Sequence, residues 1–81
     1  MGGHRYRELM LTLALVRLLV RSPWLDVYAL AEQIGSTRQT VLRLLRALRE
    51  TGLVIERRRV EGGRVQFRVS KAAAHRWMEA D

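Results

Sequence analysis

Two helical patterns meet at Gly35-Ser36 with almost nothing between them, and that junction limits what the chain can fold into. Before it, Asp26 offers an N-cap and Val27 to Ile34 reads as a helix with Leu30, Ala31 and Ile34 inward. Gly35 supplies the permissive backbone of a tight turn. After it, Ser36 and Gln39 form a capping box that opens a third helix running to about Thr51. Val41, Leu44, Leu45 and Leu48 give that helix one apolar side, and Gly52 ends it. Two helices joined by so short a turn read as one supersecondary unit.

The flanks complete the unit. Tyr6 to about Arg21 reads as helix 1, and Pro23 stops it. Its apolar residues (Leu9, Met10, Leu13, Val16, Leu18, Leu19, Val20) exceed one narrow stripe. Leu11, Leu15 and Leu18 form a second seam, expected to meet a partner copy together with the C-terminal helix. Leu53 to Val60 and Val65 to Ser70 are β-rich runs around Glu61-Gly62-Gly63-Arg64, a hairpin signal. A three-residue loop is preferred because it sets Ile55 on the face of Phe67 and Val69. Ser70 caps a short last helix, Lys71 to about Glu79. The expected fold is mainly α with a small β-hairpin: a three-helix core, a two-stranded wing and a short C-terminal helix. One domain spans 1–81, with helix 1 at 6–21, a helix-turn-helix at 26–51, a wing at 53–70 and a final helix at 71–79.

Charge then points to a partner. The chain has 15 basic and 8 acidic residues, net +7. Between Ser36 and Lys71 lie Arg38, Arg43, Arg46, Arg49, Arg57, Arg58, Arg59, Arg64, Arg68 and Lys71, against Glu50, Glu56 and Glu61. That stretch alone accounts for the net charge; the remaining basic and acidic residues cancel. A basic surface confined to one helix and one hairpin suits a rod of phosphates. On a helical wheel, Gln39, Arg43, Arg46 and Glu50 oppose the core side, with Arg38, Leu42 and Arg49 on the flank. Such a helix fits the major groove, where Gln39 pairs with adenine and Arg38 or Arg43 with guanine. Ser36, Thr37 and Thr40 suit phosphates, Arg58 is the candidate from the wing strand, and Arg64 at the tip suits the minor groove. Of the triplet Arg57-Arg58-Arg59, at most two side chains share a face.

Residues Leu25 to about His75 resemble the winged helix-turn-helix domain of MarR-like and IclR-like bacterial transcription regulators. The matching residues are Leu30-Ala31 with Ile34-Gly35, Thr40-Val41 with Leu44-Leu45 and Leu48, Gly52-Leu53-Val54, Glu56-Arg57-Arg58, and Gly63-Arg64 leading to Val69-Ser70-Lys71. The resemblance implies that the helix matching Thr37–Glu50 enters the major groove and the hairpin touches the minor groove. The longer flanking helices of the first group and the ligand domain of the second have no counterpart here. The expectation is a small bacterial, phage or plasmid regulator that binds double-stranded DNA sequence-specifically as a homodimer.

Other classes fit less well. Cys is absent, so thiolate metal sites are excluded. His4 and His75 lie near opposite ends, and Gly62-Gly63 is a turn rather than a phosphate loop. No enzyme, cofactor or metal is expected. The apolar run Leu9 to Val20 is broken by Arg17 and falls short of the roughly 20 residues of a membrane span. Arg21-Ser22-Pro23-Trp24 offers no leader cleavage site, and Tyr6 breaks the acylation pattern that begins Met1-Gly2-Gly3. A cytoplasmic, nucleoid-associated protein is expected. A winged-helix protein-interaction module is the main alternative, with Leu42 in its favour, and RNA binding is the third.

Overall fold

The computed structural model describes residues 3–80; Met1, Gly2, Asp81 and the side chain of His4 lie outside what it describes. The elements are α1 (Gly3–Arg21), β1 (Leu25–Asp26), α2 (Val27–Ile34), α3 (Arg38–Glu50), β2 (Glu56–Arg59), β3 (Val65–Arg68) and α4 (Lys71–Glu79). The three strands form an antiparallel sheet in the order β1-β3-β2. The fold is therefore mainly helical and of winged helix-turn-helix type.

The cross at the centre is built by local chemistry. Asp26 accepts from the Ala29 amide at 2.9 Å and caps α2. At the other end Gly35 takes the left-handed conformation, φ 71°, and the Ser36 amide reaches back to the Ala31 carbonyl at 2.9 Å. That bond takes the amide that the Gln39 side chain would need for a box, and Ser36 does not cap α3. Thr37 does: it has extended backbone, and its hydroxyl accepts from the Thr40 amide at 3.1 Å. The cap expected at Ser36 thus sits one residue later, on Thr37.

The wing has the three-residue loop. The Val60 amide donates to the Arg64 carbonyl and Gly63 to Val60, enclosing Glu61, Gly62 and Gly63. Both glycines hold positive φ, 89° and 82°, which a side chain would resist. Glu56 faces Arg68, Arg57 faces Phe67, Arg58 faces Gln66 and Arg59 faces Val65. Ile55, Phe67 and Val69 are all buried, as that register requires.

Two expectations fail. The sheet has a third strand: Leu25 pairs with Phe67 and Asp26 with Gln66. A strand of two residues that ends on the helix cap itself is too short to show a period-2 pattern. The second failure concerns α1, which starts at Gly3 rather than near Tyr6. Leu15 and Leu19 are fully buried, and Leu11 and Leu18 pack beside them in the core. The seam expected to face a partner is turned inward. Tyr6, Leu9, Met10 and Leu13 point outward instead. The reason is tertiary: the Val69 amide donates to the Leu19 carbonyl at 3.1 Å, and α2 packs on the same helix.

Val41, Leu44, Leu45 and Leu48 of α3 are buried against these residues, with Leu30, Ala31, Leu53 and Ala73. Ser70 caps α4 through the Ala73 amide, and the Trp77 indole donates to the Thr51 hydroxyl at 2.9 Å, tying α4 to the end of α3. No buried side-chain nitrogen or oxygen lacks a partner among the described residues. The two faces of α1 predict different costs. Leu15→Ala should destabilise by about 2–5 kcal/mol, and Leu13→Ala should stay within about 0.5 kcal/mol. Urea unfolding of dilute protein checks both.

Candidate nucleic-acid interface

Opposite its buried side, α3 exposes Arg38, Gln39, Leu42, Arg43, Arg46, Arg49 and Glu50. Thirteen residues of helix thus carry a dry face and a cationic one. At the start of α3, Thr37 donates its hydroxyl proton to Thr40 at 3.0 Å, which leaves the Thr40 proton for an outside acceptor. Ser36, Thr37 and Thr40 line an open hollow together with Arg7, Glu8 and Arg43. Arg7 is a basic residue that the sequence pattern did not single out, because it lies far away in the chain on α1.

Several arginines already have partners within the protein. Arg43 hydrogen-bonds Glu8 of α1 at 2.5 Å, with both side chains about half exposed. Arg38 donates to the Tyr28 hydroxyl at 3.0 Å and lies over that ring. Arg64 approaches the second oxygen of Asp26 at 3.5 Å. Two carboxylates from the neutral remainder of the sequence therefore sit on the basic face. The Arg43–Glu8 pair is exposed on both sides, so it is worth about 0–1 kcal/mol and is screened by salt, and a phosphate can displace its carboxylate; in the other pair Asp26 is 15% exposed and only the Arg64 end is open. Among the described residues, Arg46, Arg49, Arg57 and Arg59 form no ion pair.

On the wing, Arg58 lies away from the face that meets α3. It hydrogen-bonds its cross-strand neighbour Gln66 and stacks on Trp24 at 4.4 Å, with Arg68 at 4.7 Å from the same ring. Arg68 is also paired with Glu56. Arg57, one residue earlier, takes the inner side. It lines a cleft of about 410 Å³ with Tyr28, Leu42, Arg64 and Phe67, between α2, α3 and the wing. Strand alternation puts Arg59 on the side of Arg57.

Among the described residues no three His, Cys, Asp or Glu gather as metal ligands. No helix is long and apolar enough to cross a membrane.

Residues 14–67, two thirds of the chain, match the Crp-like helix-turn-helix domain family. The chain belongs to that family, and the helix-turn-helix makes it a DNA-binding domain of the kind found in transcription regulators. Domains of this kind are typically not enzymes. The likeness to MarR-like and IclR-like regulators holds at the level of the winged fold; the family assignment is Crp-like. No curated protein and no solved structure matches the chain significantly.

The internal pairing has a measurable consequence. Glu8→Gln should free Arg43, raise affinity for duplexes of arbitrary sequence, and steepen the log–log salt slope by up to about 0.9. Arg57→Ala should weaken duplex binding more than Arg58→Ala does. Anisotropy titrations over a range of salt test both expectations.

Proposed function

We propose that this member of the Crp-like helix-turn-helix family is a transcription regulator that binds double-stranded DNA sequence-specifically. In this reading residues 1–81 work as one domain, α3 lies in the major groove, and the wing tip at 61–64 sits at the minor groove. The observation that carries it is the two-faced α3. Its apolar side is consumed by the core, while Gln39, Leu42, Arg43 and Arg46 stand exposed on the other.

Gln39 offers a bidentate match to adenine, and Arg38 and Arg43 to guanine, each worth about 1–3 kcal/mol of discrimination. Leu42 suits the thymine methyl group, which accounts for an apolar residue among cations without a protein partner. Thr37, Thr40, Arg46, Arg57 and Arg59 take phosphates, and the half-buried Ser36 stands beside them. Arg64 leaves Asp26 for the minor groove or its phosphates. We further infer a small cytoplasmic, nucleoid-associated regulator of bacterial, phage or plasmid type that reads its site as a homodimer.

Selection of bound sequences from a random duplex pool tests this reading. A defined motif should emerge, built of two inverted half-sites. Arg43→Ala should relax the preference at one base position in each half, whereas Arg64→Ala should weaken all duplexes evenly. Retention of the random pool without enrichment, or a flat salt response, would contradict sequence-specific binding.

A further inference from the structure

We propose that a second copy of this chain covers the outer face of α1, with the two α1 helices antiparallel. Tyr6, Leu9, Met10 and Leu13 follow the i, i+3, i+4, i+7 spacing of a helix seam. They remain 67, 56, 49 and 56% exposed while the opposite side of the same helix is filled by its own core. Residues 5 to 10 are all exposed, so the first turns of α1 stand clear of the protein's own core.

Charge selects the direction. Arg17 continues the stripe one turn beyond Leu13, and the one acidic residue of α1, Glu8, is held to the side by Arg43. A parallel pair would set Arg17 against Arg17 and align the helix dipoles. An antiparallel pair sets Met10 against the partner's Leu13 and Tyr6 against the partner's Arg17, a guanidinium over a phenol ring. The interface is then isologous and closed, as two-fold symmetry demands.

The area fits a weak dimer. With roughly 200 Å² for a large side chain, the exposed fractions leave roughly 450 Å² per copy. A standard interface takes about 800 Å² per partner. Association should therefore be weak and concentration-dependent.

This surface stands on the free protein and does not rest on the DNA reading; the two also respond oppositely to salt. Each copy carries +7, so screening should strengthen self-association while it weakens duplex binding. Sedimentation of the full chain across a dilution series, at low and high salt, should show a monomer–dimer equilibrium that tightens with salt. Leu13→Glu adds an i,i+4 partner for Arg17, so it should keep its helical dichroism and weaken the dimer at least tenfold. Because the chain has no cysteine, Met10→Cys mixed with Leu13→Cys should cross-link as a mixed disulfide, with little bridging in either variant alone. A monomer at every concentration and salt would overturn the proposal. So would a dimer indifferent to Leu13→Glu, disulfides within single-variant samples, or a monomer that binds anionic phosphatidylserine vesicles through this face.

Discussion

The fold depends on holding α3 by one side only. Val41, Leu44, Leu45 and Leu48 pack on α2 and are buried in one core with its Leu30 and Ala31, with Leu15 and Leu19 of α1 and with Ile55, Phe67 and Val69 of the hairpin. Each such side chain contributes about 1.5–3 kcal/mol when fully buried, which is enough to fix the rotation of α3 about its axis. That rotation decides which residues meet the outside. With the leucines inward, an arginine-rich row must face out, whatever its self-repulsion costs. The same packing sets the wing beside α3, because Phe67 belongs both to the core and to the cleft that Leu42 and Arg57 line.

Much of this was legible in the residues. Asp26, Gly35 and Pro23 act on their immediate neighbours, so the helix boundaries could be read from them. The cap of α3 slipped by one because the Ser36 amide answers to α2, a demand that no local motif at Ser36 reveals. The face of α1 was not legible. That helix is apolar almost all round, so periodicity alone leaves its inward side open, and contacts from β3 and α2 decide it. The strand at Leu25–Asp26 exists only because Phe67 and Gln66 lie beside it.

The candidate site divides in the same way. The α3 row follows from a helical wheel. Arg57 was within reach too: the loop length that turns Ile55 inward also turns Arg57 inward and Arg58 outward, since side chains alternate along a strand. The carboxylates of Glu8 and Asp26 were not. Glu8 is 35 residues from Arg43 in sequence, and only the crossing of α1 over the start of α3 joins them. Their effect is to temper the basic face. Arg43 and Arg64 begin with a partner, so in the proposed complex duplex contact there would be an exchange of ion pairs, won by the better phosphate or base geometry. Weak non-specific attraction combined with discriminating contacts is useful to a protein that must find one site among many.

Backbone amide shifts measured while a selected duplex is titrated into labelled protein bear most directly on the central claim. The proposed DNA-facing surface requires the largest changes at Thr37, Arg38, Gln39, Leu42, Arg43 and Arg46, with Gly62 and Gly63 following and the amides of Trp24 and Arg58 little moved. Changes centred on Trp24, Arg58 and Arg68, with α3 silent, would place the nucleic acid on the other side of the sheet and contradict it.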